Sequence, residues 1–494
     1  MKPESGTDYS RWDLLRNWWS IIGLIIAVLG IFAFLLLFIY DSMARFTNPY
    51  VGVVMYFFAF PFAALGLLMT GVGVILERRR MASAKQQEPA KPLPATLSRL
   101  RNRHILEILF TVVVILLGVT AVGTYHSYHF VESVQFCGAT CHVMEPENTT
   151  YQHSPHAQVG CTECHVGPGV SWFVKAKING MHQLVAMVRN TYSRPIPPPA
   201  KHMRPARETC EQCHWSKKFY GNMEKVYEHY LADEKNTHYA VRLSLKVGGS
   251  DPTHGPVGGI HWHMNVANKI EFVATDKEQQ VIPWIRMTDA KGVQTEFRAA
   301  GYKDTPNPVD IQTMDCMDCH NRPAHNFAAP DTAVDLAMSL GKIDRSLPSI
   351  GKHAVALLTG KYATKKEALD KIAAGLKQQY PNEPRIQPAI AAVQEIYSRN
   401  FFPAMKASWK AYPDNIGHKD WAGCFRCHDG QHATADGKQK VKASDCNACH
   451  LILAQGTGAE LNQLNAAGHA FKHPGGDLDP STKCNECHSG GAAP

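Results

Sequence analysis

All fourteen cysteines of this 494-residue chain fall into seven pairs, and each pair is followed at once by histidine. The sets are Cys137/Cys141/His142, Cys161/Cys164/His165, Cys210/Cys213/His214, Cys316/Cys319/His320, Cys424/Cys427/His428, Cys446/Cys449/His450 and Cys484/Cys487/His488. Six read C-x-x-C-H; the first, CGATCH, carries one extra residue between its cysteines. This spacing lets two thioethers hold one porphyrin while the adjoining histidine lies over the iron as proximal ligand. A disulfide framework has no need of a histidine after each pair, and a zinc ribbon needs its pairs matched two by two. The motifs therefore predict seven covalent haems c, attached at the fourteen cysteines, with iron held by the seven motif histidines.

Apolar residues are concentrated at the start of the chain. Ile21–Tyr40, Val51–Leu76 and Ile105–Gly123 are each long enough to cross a bilayer. The first run is too long for a signal peptide and lacks a small-residue cleavage site after it. Residues 77–103 carry eight Lys/Arg, whereas the 41–50 loop carries only Arg45. The positive-inside rule puts 77–103 and the N-terminus in the cytoplasm, so the chain beyond about residue 126 emerges on the outer side, where haem c is attached. The expected location is the bacterial inner membrane, multi-pass, with the haem domain in the periplasm.

The formal charge of +8 invites a nucleic-acid reading. From residue 126 onward, however, 39 Lys/Arg stand against 36 Asp/Glu, and two propionates per haem make that part acidic. Nucleic acid is a poor partner for it.

Motif spacing divides the exported part into an opening cluster (137–214), two gaps of about a hundred residues, and a closing cluster (424–488). The first gap contains strand-like stretches at Val241–Val247 and Ile270–Thr275, then a hairpin turning at Asp289–Gly292. The second has helical periodicity over 331–340, 350–359 and 365–379. The fold class expected is a multihaem c-type cytochrome: three transmembrane α-helices plus a mostly α/irregular, haem-packed periplasmic domain with a small β insertion. The segments are a membrane anchor (1–125), a first haem domain (126–235), a β-rich insertion (236–310) and a C-terminal haem domain (311–494).

Low-spin electron-transfer haems take a second axial ligand, commonly histidine. Eighteen of the 25 histidines lie outside the motifs. The favoured distal candidates are His156, His202, His238, His263, His325, His432 and His473. His261 and His263 are expected on one strand face, one as ligand and the other structural, and His469 competes with His473. His432 follows His428 too tightly to bind the same iron.

The opening cluster, CGATCHVM at 137–144, YQHSPHAQVGCTECHVGPG at 151–169 and ETCEQCHW at 208–215, resembles the NapC/NirT family of membrane-anchored quinol dehydrogenases. Seven sites and a C-terminal extension look like its larger seven-haem inner-membrane members from metal-respiring bacteria, the ImcH-like group. The resemblance implies oxidation of menaquinol from the membrane pool and electron delivery to periplasmic cytochromes or reductases in anaerobic or metal respiration. It implies that Met144 can replace His142 as ligand of the first iron. It also implies a lysine near the quinol followed seven residues later by a carboxylate; here Lys175 matches, but His182 stands where the carboxylate belongs. Removing quinol protons needs a base poised near neutral pH, for which His126, His129, Lys175 and Glu145 are candidates. The alternatives are a relay fed by another quinol-oxidising subunit, and a nitrite-type terminal reductase, against which the absence of any C-x-x-C-K counts.

Overall fold

The computed structural model describes residues 17–43 and 59–84, scattered positions between 107 and 130, and 132–491 except for 167–169, 199–204, 216–218, 249–257, 266, 443–446 and 480–481. Contacts divide the chain into two compact units. One comprises Met1–Ser133 with His165–Arg189, the other Val134–Cys164 with Asn190–Pro494.

The first unit holds α1 (Trp18–Met43) and α2 (Phe60–Ala84), two helices long and apolar enough to cross a membrane. Most of their large apolar side chains face outward, as lipid-facing residues must. They run antiparallel over small residues. A Cβ on Gly66 would lie 2.3 Å from the Ala27 nitrogen, so glycine is what lets the backbones approach. Near one end, Asn17 Nδ2 donates to the Gly73 carbonyl (3.0 Å) and Ser20 Oγ to that of Thr70 (3.2 Å). This pairing brings Arg78, Arg79 and Arg80 to the same end as the start of α1, as the positive-inside argument requires. Three spans were expected, and two are found among the described residues. Of the third run only Glu107, Thr111, Val114, Ile115 and Gly118 are described, all helical.

In the second unit, α3 (Glu145–Gln152) follows the first motif, while α4 (Cys161–His165, whose last residue falls in the first unit) and α6 (Ala206–Cys210) carry residues of the next two. Helix α5 (Val170–Val188), between them in sequence, belongs to the first unit. β1 (Met223–Tyr230), β2 (His238–Leu245) and β7 (His450–Gly456) form one antiparallel sheet, in the order β1-β2-β7. The segment break expected at 235 thus falls between paired strands, and the third strand begins at a motif histidine some 200 residues on. A second sheet has the order β5-β4-β3-β6, with β3 at Lys269–Val273, β4 at Trp284–Thr288, β5 at Gln294–Arg298 and β6 at Gln312–Thr313. Ile270, Phe272, Ile282 and Ile285 are its buried centre.

After α7 (Cys316–Cys319) come α8 (Pro330–Ser339), α9 (Ile350–Leu358), α10 (Lys365–Gln379) and α11 (Ile386–Asn400). Ile343, Leu347, Ile350, Leu358, Ile372, Leu376 and Val393 are fully buried among them. Their apolar spacing of three and four residues is what forms the helices and what packs them. The last motif sits on α12 (Cys484–Cys487).

Candidate metal centres

One helical turn puts two cysteines three apart, and the histidine that follows, on one side of the backbone. The sets at 161, 316 and 484 use an α-turn and the set at 424 a 3-10 turn. The first set, with its extra residue, uses a π-turn over Phe136–Thr140. A π-turn absorbs one additional residue, so Cys137 and Cys141 still lie one turn apart. His142 follows on a 3-10 turn, exposed, while Met144 is half-buried.

Four of the described attachment cysteines are exposed: Cys213, Cys424, Cys449 and Cys487. Of these, Cys213 and Cys449 do not lie within a helix. Helix α6 ends at Cys210, so Cys213 falls on the turn beyond it. That turn still closes, because the Cys213 amide donates to the Cys210 carbonyl at 3.1 Å and the His214 amide to the same oxygen at 2.7 Å. Cys449 lies on the turn that leads into β7. Its carbonyl accepts from the Lys246 amide at 2.8 Å, which fastens this motif to the end of β2. The third set thus keeps the spacing of one turn beyond the end of its helix.

Five motif histidines each face a second histidine. Ring centres are 6.0 Å apart for His214 and His156, 6.2 Å for His320 and His261, and 5.8 Å for His428 and His263. They are 6.3 Å apart for His450 and His418, and 6.0 Å for His488 and His473. Two imidazoles bound from opposite sides by metal–nitrogen bonds of about 2 Å have ring centres roughly 6 Å apart. The angles between ring planes range from 5° to 84°, and an imidazole can turn about its own metal–nitrogen bond, so the angle does not exclude a shared iron.

The facing histidines are oriented from behind. Nδ1 of His156 donates to the Pro323 carbonyl (2.9 Å), that of His261 to Val247 (3.0 Å) and that of His263 to Ile260 (2.9 Å). A carbonyl on Nδ1 fixes the proton there and leaves Nε2 as the ligating nitrogen. His325 has the same anchor, to the Glu147 carbonyl at 2.9 Å. Burial pulls His261, His320, His418, His428, His450 and His488 below the ordinary imidazole range, toward the neutral form that binds metal.

Consecutive motifs adjoin. The thiols of Cys137 and Cys161 interact, as do those of Cys164 and Cys210, and of Cys210 and Cys316. Cys319 lies beside Cys424 and Cys427.

The family model for the NapC/NirT cytochrome c family, N-terminal region, matches residues 100–197. The cytochrome c-type protein ImcH of Geobacter sulfurreducens is 37% identical over 96% of this chain and 95% of its own length. The chain belongs to the NapC/NirT family of c-type cytochromes. The cytochrome c-type protein NrfH of Wolinella succinogenes is 35% identical, over 15% of this chain and 45% of its own length. No solved structure matches this chain. It is thus a membrane-anchored electron-transfer cytochrome with covalent haem c.

The motif surroundings of this cytochrome fit such a group. Buried polar atoms without a hydrogen-bond partner include Thr209 Oγ1 beside Cys210, Arg322 Nε two residues after His320, His450 Nδ1, and Asn485 Oδ1 between the last two cysteines. Buried polar atoms are normally satisfied, and haem propionates would supply acceptors for the Thr209, Arg322 and His450 groups, though not for the Asn485 oxygen, which needs a donor.

Two expected ligands are corrected. His432 is buried and uses both ring nitrogens, Nδ1 to Asp429 Oδ1 (2.8 Å) and Nε2 to the Ile282 carbonyl (2.7 Å), so no nitrogen is left for iron. His238 stands on β2 with its Nε2 against Glu228 of the neighbouring strand. His261 and His263 do not share a strand face. They lie on a 3-10 turn over Ile260–Met264, whose tight pitch aims residues two apart in different directions, and each faces its own motif histidine. His469 turns to the Gln463 carbonyl (3.1 Å). His202 and Cys446 lie outside the described residues. The sequence reading missed His418, which precedes Cys424 by six residues but faces the sixth motif.

Of the quinol-site candidates, Lys175 and His182 are exposed on α5, seven residues apart and so on one side of it. His126 and His129 are exposed and lie against Tyr125, at 5.6 Å and 4.4 Å between ring centres. All four belong to the unit that holds the membrane helices. Glu145 is in the other unit, exposed and paired with Lys365 Nζ at 3.4 Å.

Proposed function

We propose that this cytochrome oxidises menaquinol at the outer face of the bacterial inner membrane and delivers the electrons, through seven c-type haems, to periplasmic cytochromes or reductases. The carrying observation is the set of five histidine pairs spaced for one iron each. Haem bound there supplies one-electron carriers; the protein supplies cysteines for attachment and two imidazoles per iron. The contacts between consecutive motifs from the first to the fifth support a chain of haems that follows sequence order. His325, anchored like the ligands, binds a further iron.

Quinol entry is assigned to the unit with the membrane helices. Lys175 binds a quinol oxygen, and His182, His126 and His129 are placed to take its protons, since imidazole accepts a proton near neutral pH. A nitrite-type reductase fits less well, because imidazoles on both sides leave no coordination site at the five paired positions.

The test is reduction of the purified, haem-loaded protein by a menaquinol analogue. Rapid reduction that a Lys175→Ala change slows at least tenfold, with dithionite reduction unchanged, supports the reading. No reduction by any quinol would make the protein a relay fed by another subunit.

A further inference from the structure

His418 touches three motifs at once. It faces His450 of the sixth motif at 6.3 Å. Its ring stacks on Phe425 of the fifth, centres 4.4 Å apart and planes 19° apart. Its Nδ1 lies 3.8 Å from Cys484 Sγ of the seventh. The loop bearing it is closed by the Cys424 amide donating to the Gly417 carbonyl at 3.1 Å.

We infer that His418 is the distal ligand of the sixth iron, and that Phe425 and Cys484 position it from the two neighbouring sites. The chemistry is direct. A sulfur beside Nδ1 can accept a hydrogen bond from its N–H, which keeps the proton there and leaves Nε2 for the metal, the role that backbone carbonyls play for His156, His261 and His263. The Phe425 ring fixes the imidazole plane, which a contact through the ring face does without competing for either nitrogen. Phe425 is thereby a positioning residue, acting on the sixth site from within the fifth motif. Any change at His418 is felt where the last three sites meet.

The inference rests on haem binding at these motifs and not on quinol oxidation, so its test uses dithionite and oxidised-state spectra only. In the full-length, haem-loaded protein, His418→Ala is expected to convert one low-spin haem to high-spin without lowering the number of haems attached. Phe425→Leu is expected to leave every haem low-spin while shifting the electron paramagnetic resonance signature and the midpoint potential of one of them. His469→Ala, which removes an exposed histidine bonded to Gln463, is expected to change neither. If His418→Ala leaves every haem low-spin, the ligand assignment is overturned. If it prevents maturation, Phe425→Leu decides: a spectrum and set of potentials identical to the unaltered protein overturns the positioning role and the ligand assignment with it. A haem count below seven in the unaltered protein would strike the proposed function instead, and is read in the same sample.

Discussion

His261 and His263 are two residues apart, yet they face different motif histidines, His320 at 6.2 Å and His428 at 5.8 Å. One 3-10 turn thus serves two neighbouring sites. His261→Ala and His263→Ala should each convert one haem to high-spin, and the double variant should convert two, counted by magnetic circular dichroism. Equal spectra for the two single variants would mean that they act on one site.

Gly138 occupies the π-turn of the first motif, where an added Cβ would fall 2.4 Å from Asn148 Oδ1. Gly138→Ala must therefore displace Asn148 or open the turn, at a cost of about 1–3 kcal/mol. The expected result is specific loss of the first haem, seen as a species one haem lighter in the intact mass.

Gly66 is one of the positions where α1 and α2 approach closely, an added Cβ falling 2.3 Å from the Ala27 nitrogen. Gly66→Leu should lower the thermal midpoint in detergent by separating the helices, again at about 1–3 kcal/mol. Gly71→Ala on the same helix, with nothing within 4 Å of the new methyl, should leave it unchanged.

Glu271 in β3 is buried and bonded to Arg286 (2.8 Å) and Lys269 (2.6 Å). Mainly through the Arg286 bond, its carboxyl is held below the ordinary carboxylate range. Such a group stabilises the fold at pH above the ordinary value, and that contribution disappears as pH falls through the lower folded-state value. Glu271→Gln should cost about 1–2 kcal/mol at neutral pH, given that Arg286 and Lys269 are partly exposed. It should also flatten the fall in stability on acidification, measured by denaturant titration across pH.

The attachment motifs were fully legible because their chemistry is local, two cysteines and a histidine within one turn. That Cys213 and Cys449 fall outside any helix was not, because α6 ends and β7 begins beside them and element ends depend on the rest of the fold. Helices α8, α9 and α10 were legible because their apolar spacing repeats within a few residues. Distal ligands are not local. His432, four residues from His428, was drawn into the second sheet by Asp429 and Ile282, whereas His418 reaches past the fifth motif to the sixth. Pairing of β2 with β7 joins strands some 200 residues apart, which no periodicity announces. His261 and His263 alternate around Trp262 as strand residues would, and only the backbone turn reveals that both face motif histidines.

The most direct test of the account is the intact mass of the full-length protein matured with its haems. Seven covalent haem additions are expected, and replacing both cysteines of any one motif, the exposed Cys213 and Cys449 with their partners included, should remove one addition. Fewer than seven additions in the unaltered protein, or zinc in place of haem, would contradict it.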